Sequence, residues 1–560
     1  MAQTIQALLE NLDDPEGAST FLSGGERKSV SFADLRVRAE EIATRLLAAG
    51  SKPGDRVTMV IPDQAEFVTL FLGASHAGLV PVPVYPPFVL SELDSYVAHL
   101  RRIVAVSESS LVLCGPEVVE ILRPAAGGVK VATLEELDPA DASPALPKVR
   151  PEDMAFLQFT SGSTAAPKGV VVTQQSLLAN VNAISEQLDD GRSGEGDCGV
   201  SWLPMYHDMG LIGQLMVSLS HQVPAWYLAP LDFVRRPTSW CDLMHEVGGT
   251  VSFGPNFAYS LVARRAQDEE IARWDLSRWR VAGCGAEPIH TDSLRLFAER
   301  LAPAGFSAEA FMPCYGLAEA TLAVSMVPRG GGLRTKVVGS EALRERGLAV
   351  EPAAGEEAHE IASCGPPLPE HEVKIVNAAG SELPEGREGK ILVRGPSVTA
   401  GYFGDPAATA QTFEGGWLHT GDLGFLADGE LFVTGRDKDL LIINGRNYHP
   451  QDIEWCASEV SGVRRGNVVA FAEEGGDGER LVVVAERRSG GDPEAIEKGV
   501  RSRVRATLGL KVHRLTVVEG GQLPKTSSGK LRRAETRARE ASGALRRLNE
   551  PSSAPSGVVE

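Results

Sequence analysis

Hydrophobic positions along the first 325 residues fall into two alternating rhythms. One is a short unbroken apolar run; the other places apolar residues three and four apart. Ser31-Phe-Ala-Asp-Leu-Arg through Leu46-Leu47 has the helical rhythm, with Ser31 placed as a cap and Gly50 just past the end. Asp55-Arg-Val-Thr-Met-Val-Ile61 reads as a buried strand, residues 64–78 as a helix, and Val80-Pro-Val-Pro-Val-Tyr85 as the next strand. This alternation predicts helices layered on a largely parallel sheet, an α/β architecture.

The rhythm breaks between Met326 and Gly365, where Gly330-Gly-Gly332 and mixed charges replace it; an insertion or extended loop is expected there. Beyond Glu372, short strands at 373–376, 389–394 and 431–434 are separated by Gly and Asp turns, with Asp428-Gly429 as a hairpin signal. They predict a β-rich subdomain over 372–435. Strands at 468–472, 481–485 and 512–518, mixed with helices, make 438–540 a small α+β C-terminal domain after a large N-terminal domain, 1–437. Residues 541–560 are rich in Ser, Pro and Gly and are expected to be a disordered tail.

Bulk properties narrow the functional classes. Lys plus Arg number 55 against 74 Asp plus Glu, so the net charge of −19 argues against a nucleic acid or an anionic membrane surface as partner. The seven cysteines are scattered and never in C-x-x-C spacing, which gives no disulfide framework and no zinc site. No basic n-region with a long apolar run opens the chain, and no apolar stretch reaches the ~18 residues of a membrane span, so a cytoplasmic protein without integral membrane contact is expected.

The densest candidate chemistry is Thr160-Ser-Gly-Ser-Thr-Ala-Ala-Pro-Lys-Gly169, set between the apolar runs Met154-Ala-Phe-Leu-Gln-Phe159 and Val170-Val-Val172. This reads as strand, polar loop, strand. Small residues let a phosphate approach the backbone, hydroxyl and amide groups donate to its oxygens, and Lys168 adds a mobile charge. The spacing of Gly162 and Lys168 is not that of a Walker A loop. Taken alone, the segment reads equally well as a serine-rich surface turn.

Its company decides the matter. Downstream stand Tyr206-His-Asp-Met-Gly-Leu-Ile-Gly213, Gly285-Ala-Glu-Pro288, Tyr315-Gly-Leu-Ala-Glu-Ala-Thr321, His419-Thr-Gly-Asp422, Gly435-Arg-Asp-Lys-Asp-Leu-Leu-Ile-Ile-Asn-Gly-Arg-Asn447 and Pro524-Lys-Thr-Ser-Ser-Gly-Lys530. In this order and at these separations, the chain from about residue 20 to 540 resembles the adenylate-forming superfamily of acyl-CoA synthetases, peptide-synthetase adenylation domains and luciferase. Leu79-Val-Pro-Val-Pro-Val-Tyr-Pro-Pro87, Ser201-Trp-Leu-Pro-Met-Tyr-His207 and Ala318 bring it nearest to the fatty acyl-AMP ligases, whose extra motif coincides with 326–365. Many relatives have Gly where Ala165 stands, and a residue with a Cβ carries strain if that position needs a positive φ.

The resemblance implies ATP and Mg²⁺ as cofactors. Thr160, Ser161, Gly162, Ser163, Thr164 and Lys168 would hold the β- and γ-phosphates, and Glu319 would serve catalysis as the Mg²⁺ ligand. Tyr315 and Gly316, with Gly285, Ala286 and Glu287, would line the adenine. Asp422, assisted by Arg436, would accept from the ribose hydroxyls. Lys530 would reach the substrate carboxylate and α-phosphate, His207 would border the acyl and phosphate sites, and Lys438 would be the hinge of a mobile C-terminal domain. Gly210-Leu-Ile-Gly213 and Phe253-Gly-Pro-Asn-Phe-Ala-Tyr259 are expected to help line an acyl tunnel, with a plain buried core as the stronger bland reading of those side chains. The implied reaction is activation of a medium- or long-chain fatty acid as acyl-adenylate. Acyl transfer to the phosphopantetheine thiol of an acyl carrier protein in trans follows, in polyketide or lipopeptide synthesis. An acyl-CoA synthetase is the first alternative and a non-catalytic nucleotide- or acyl-binding module the second.

Overall fold

The computed structural model describes residues 2–87, 93–137, 144–160, 167–188, 196–443, 446–475, 478–525 and 530–549. It is a mixed α/β protein with a large N-terminal domain and a smaller C-terminal domain. The main sheet has eight strands in the order Ala323–Met326, Phe311–Gly316, Val281–Cys284, Val251–Gly254, Gly199–Ser201, Ala225–Leu228, Ala18–Ser23, Glu26–Ser31. All neighbours are parallel except the two edge pairs. Parallel strands are covered on both faces, which explains why Val281–Cys284 is buried throughout and reads as a bare apolar run.

Aromatic packing stiffens this sheet. Trp240 meets Tyr259 and Trp279 edge-on at 5.2 and 5.1 Å, and Phe297 meets Tyr259 and Phe306 at 5.1 and 5.0 Å. Gly283 leaves the room for it, since a Cβ there would lie 1.9 Å from the Phe253 ring.

A second, four-stranded parallel sheet runs Val80–Pro83, Arg56–Val60, Leu111–Cys114, Lys130–Ala132. The hairpin Met154–Thr160 with Lys168–Thr173 stands beside it, as its two apolar runs predict. Helix Phe32–Ala48 starts where expected, with the Ser31 hydroxyl accepting from Asp34 N–H at 3.0 Å. The β-rich subdomain is antiparallel: Glu372–Val376, Gly389–Arg394 and the long strand Trp417–Ala427, which also pairs with Glu430–Arg436 through the Asp428-Gly429 turn. Both turn residues have positive φ, +54° and +75°, as a primed hairpin turn requires.

The C-terminal domain wraps helices Pro450–Ser458 and Pro493–Leu508 around a sheet of Val463–Gly475, Gly478–Arg487 and Arg514–Val518. Part of the expected tail belongs to it. Leu545 is buried, Leu548 N–H donates to Val517 O at 2.8 Å, and the Asn549 amide donates to Leu515 O at 2.9 Å. Polar composition hid a short strap held by a few specific contacts; 550–560 lie outside the described residues.

The segment 326–365 is ordered rather than an extended loop. Thr335–Gly339 pairs antiparallel with Ala358–Ala362, and helix Ser340–Arg346 lies between them. Val338, Leu343 and Ile361 pack on the stacked rings of Phe425 and Phe432. Elements of five and seven residues are too short to show a period, so packing on the β-rich subdomain specifies them. Glu360 pins the hairpin to the main domain: it accepts from Arg295 at 2.6 Å, from Thr291 at 3.0 Å and from Thr335 at 2.6 Å.

The bonds from Arg295 hold the Glu360 carboxyl down at about 2, against a partial burial that opposes them. A depressed carboxylate contributes its stability above its ordinary value near 4.5, and loses it as pH falls toward 2. Glu360→Gln should therefore cost about 1–2 kcal/mol at pH 7, discounted for the half-exposed arginine. In urea unfolding the gap to wild type should narrow below about pH 4.5; a gap independent of pH would contradict the assignment.

Candidate functional site

Four neighbouring strands of the main sheet end on one side of it, and their C-terminal ends feed the loops at 202–208, 255–257, 285–290 and 317–321. The carboxyl edge of a parallel sheet is where such folds open a crevice. Here it is a cleft of about 2650 Å³, bounded by the β-rich subdomain and by the C-terminal domain. That exceeds the roughly 300–1,000 Å³ of an ordinary ligand pocket, leaving room for several substrate groups at once.

Asp422 sits on the cleft wall opposite Arg436, its direct cross-strand partner, with Nε 3.4 Å from Oδ1. The Tyr315 hydroxyl donates to Oδ2 at 2.6 Å, and Asp422 N–H donates to Thr420 Oγ at 3.1 Å. Burial pushes the Asp422 carboxyl up, and Arg436 and Tyr315 pull it back. Gly421, at φ +75°, stands just before Asp422 in strand Trp417–Ala427, where the pairing with Gly389–Arg394 shifts register.

Glu319 lies on the single turn Ala318–Ala320 after strand Phe311–Gly316. Its Oε1 accepts from the Tyr402 hydroxyl at 2.7 Å, and Lys168 Nζ lies 4.7 Å from the centre of the Tyr402 ring. Backbone bonds from Phe403 N–H to Gly169 O and from Val171 N–H to Gly401 O seat Tyr402 beside the hairpin strand. Lys168 and Glu319, 151 residues apart, therefore share a wall through a tyrosine that sequence reasoning did not single out. Thr160 ends the first strand of the hairpin, while Ser161, Gly162, Ser163, Thr164 and Ala165 lie outside the described residues.

His207 Nδ1 stands 2.6 Å from Asp208 Oδ1. The helix that follows contains a π-helical stretch, Leu211–Met216, a geometry that often marks functional sites. Gly210 is required by packing, because a Cβ there would lie 2.2 Å from Pro204 O; Gly213 faces the cleft. Of the apolar motif at 253–259, Phe253 and Phe257 line the cleft, while Tyr259 belongs to the core and donates to Gly283 O at 2.7 Å.

The loop after Val281–Cys284 is held tightly. Ala286 has φ +69°, a left-handed conformation that a residue with a Cβ rarely adopts, and such strain concentrates at functional sites. Glu287 accepts from Phe257 N–H at 2.6 Å, and His290 N–H donates to Asn256 Oδ1 at 3.1 Å, so two bonds tie the loop to the start of helix Asn256–Arg265. Gly285 packs against Cys314, since a Cβ on it would lie 2.7 Å from Cys314 Sγ.

Lys530 enters from the C-terminal domain. The loop that carries it is closed at its base by a Lys525–Leu531 bridge and by Arg532 N–H donating to Pro524 O at 2.9 Å; residues 526–529 lie outside the described residues. Arg533 clamps it through Glu454 at 2.8 Å and Asp439 at 2.7 Å. In the cleft, burial lowers the Lys530 pKa, and Asp208 and Glu287 oppose that shift. Reciprocally, burial raises Glu287 against the pull of Phe257 N–H and Lys530. Burial alone would raise Asp208 too, but His207 and Lys530 outweigh it. Lys438 lies on the turn Asp437–Asp439 at the cleft edge. The structure thus brings His207, Glu287, Tyr315, Glu319, Asp422, Arg436 and Lys530 to one cleft and adds Tyr402 and Asp208 to the set, while Lys168 stands behind the Tyr402 ring rather than in the lining. Asp208 was legible as the neighbour of His207 within one motif; Tyr402 carried no local signal.

Comparison with known proteins agrees with this geometry. The chain matches the AMP-binding enzyme family over residues 11–403. It is 41% identical to a Caulobacter vibrioides protein provisionally named an acyl-CoA synthetase, over 92% of this chain and 91% of that one. It is 34% identical to the medium-chain-fatty-acid–[acyl-carrier-protein] ligase JamA of Moorena producens, over 94% and 93%. Among solved structures, one from a study of fatty acyl-adenylate ligases of E. coli and L. pneumophila superposes with a TM-score of 0.90 at 37% identity, covering 97% of this chain and 98% of that one.

Gly316 tests the rigidity of the wall that carries Tyr315 and Glu319. A Cβ on it would lie 1.8 Å from Leu322 O, a backbone atom that cannot step aside. Gly316→Ala should cost about 3 kcal/mol or more in chemical denaturation. A loss below about 1 kcal/mol would show the wall to be pliable.

Proposed function

The chain belongs to the AMP-binding enzyme family, and we propose that within it this protein is a fatty acyl-AMP ligase that uses ATP to activate a medium- or long-chain fatty acid. The observation that carries this reading is the convergence of Lys530, brought by the C-terminal domain, with Asp208, Glu287 and Asp422 of the N-terminal domain in one cleft. A carboxylate oxygen of the fatty acid attacks the α-phosphorus of ATP. A new C–O–P bond forms, the bond from the α-phosphorus to the bridging oxygen breaks, and pyrophosphate leaves. Positioning and charge stabilisation supply most of such catalysis.

Asp422 accepts from the ribose hydroxyls, with Arg436 and the Tyr315 hydroxyl fixing its two oxygens. The Tyr315 ring and residues Gly285, Ala286 and Glu287 flank the adenine, and Gly316, closely packed on Leu322, holds Tyr315 in place. Lys168, with Thr160, Ser161, Gly162, Ser163 and Thr164, takes the β- and γ-phosphates. The Glu319 carboxylate, one oxygen held by Tyr402 and lining the cleft, is the oxygen donor that fits Mg²⁺, a cation usually bound by one or two carboxylates plus substrate phosphates. Bound there, Mg²⁺ would neutralise phosphate charge. His207, held by Asp208, borders the reacting carboxylate. Phe253, Phe257 and Gly213 flank the acyl chain. Lys530 places its ammonium beside the developing negative charge, and rotation about Lys438 then withdraws it.

The acyl group passes to the phosphopantetheine thiol of an acyl carrier protein supplied in trans: a C–S bond forms, AMP leaves and the thiol proton is released. The relative JamA bears this acceptor in its name. The alternative acceptor, CoA, has its support in the name of the Caulobacter relative. The ordered hairpin of 335–362 favours the carrier. It is pinned to the main domain through Glu360 and reaches the C-terminal domain through Glu345–Arg446 at 2.8 Å and Arg344 over the Tyr448 ring at 5.5 Å, so it limits how far that domain turns after adenylation and with it the room left for CoA. Cytoplasmic action fits this chemistry, and no helix among the described residues is long and apolar enough to cross a membrane.

The test is formation of acyl-AMP from ATP and a panel of fatty acids, read by mass spectrometry, with wild type and Lys530→Ala. Wild type should yield acyl-AMP. The variant should lose it by about 10²-fold or more with an unchanged circular dichroism spectrum and melting temperature. Unchanged adenylation in the variant would remove Lys530 from its role, and no acyl-AMP from wild type with any fatty acid would overturn the reading.

A further inference from the structure

Helix Pro450–Ser458 of the C-terminal domain follows directly on His449, its N-cap residue. His449, Asp452 and Trp455 are spaced by three, so they lie along one face of it. Each meets a different part of the rest of the molecule. His449 Nε2 is 3.2 Å from Glu388 of the β-rich subdomain, both side chains nearly buried. Asp452 Oδ1 is 3.6 Å from His359 of the hairpin at 335–362. Trp455 stacks on His290 of the main domain, with ring centres 4.3 Å apart and planes 15° from parallel.

The partner of Trp455 is well chosen for positioning. His290 stands three residues after Glu287, on the loop that the Asn256 and Phe257 contacts hold rigid. Burial pushes the His290 imidazole down to about 4, so a neutral ring faces the indole at neutral pH. A flat stack of two rings fixes distance and tilt together, which a pair of flexible charged side chains does not. The Lys530 loop is tied to the same helix, since Glu454, the neighbour of Trp455, binds Arg533. Wherever Trp455 lands, Lys530 is carried with it.

We propose that the Trp455–His290 stack is a docking point that registers the C-terminal domain in its adenylating position, and that Trp455 is a positioning residue for the delivery of Lys530 to the cleft. The flanking His449–Glu388 and Asp452–His359 contacts fix rotation about that point. The inference rests on the adenylating role of Lys530 stated above. Trp455 and His290 both line the cleft, and Trp455 acts through where the domain sits.

The experiment uses the full-length protein and four forms: wild type, Trp455→Ala, Trp455→Phe and His290→Ala, with the double variant closing a mutant cycle. Single-turnover acyl-AMP formation should fall about tenfold or more in Trp455→Ala and in His290→Ala, with KM for ATP changed much less. Trp455→Phe should restore most of the rate, because a ring that can stack remains. The double variant should be no slower than the worse single one. Distances between spin labels, one on each domain, should broaden or lengthen in both alanine variants before any substrate is added. Equal rates in wild type and Trp455→Ala would overturn the proposal. So would losses that multiply in the double variant, or an unchanged distance distribution. Failure of the adenylation reading itself would show differently, as absent acyl-AMP in wild type with the label distances still responding to Trp455→Ala.

Discussion

Asp208, Glu287 and Asp422 share one cleft, each with its carboxyl buried, and the cation that faces all three comes from another domain. Gathering carboxylates away from water is costly, and burial drives both Glu287 and Asp422 toward their neutral forms. Lys530 opposes that drive at Glu287 and Arg436 does so at Asp422, and the lysine's own ammonium is desolvated there. The closed arrangement is thus a mutual dependence: the cleft needs the lysine's charge, and the lysine is tolerated there because of the carboxylates. A polyphosphate in the cleft would change the balance sharply. A mobile domain fits this constraint better than a fixed one, since the charge can be supplied for one step and withdrawn for the next.

Around that constraint the fold supplies rigidity where atoms must be placed. The strand ends at Gly199–Ser201, Val251–Gly254, Val281–Cys284 and Phe311–Gly316 are fixed by sheet pairing and by the aromatic packing behind them. Ala286 is held in a left-handed conformation, and the absent Cβ atoms of Gly285 and Gly316 let the wall of the cleft close up against Cys314 and Leu322. The hairpin at 335–362 then joins main domain, β-rich subdomain and C-terminal domain.

Much of this was legible in the chain. Parallel strands such as Val281–Cys284 showed as bare apolar runs, and Ser31 and Asp428-Gly429 marked a helix start and a turn by local chemistry alone. The site motifs showed because their residue types serve chemistry rather than packing. Three things stayed hidden, each for a physical reason. Tyr402 is placed by backbone bonds to a strand more than 200 residues earlier, so no local pattern marks it. The elements of 335–362 are too short for a period and take their form from the faces they pack against. The strap through Leu545 and Asn549 reads as tail because a few specific contacts, not composition, hold it down.

The account turns on which thiol receives the acyl group. The most direct measurement supplies purified protein with ATP, Mg²⁺ and a fatty acid, with and without CoA, and follows acyl-AMP and acyl-CoA together by mass spectrometry. An acyl-AMP yield that persists in the presence of CoA, with acyl-CoA a trace, is what the account predicts. Rapid conversion of the adenylate to acyl-CoA would contradict it.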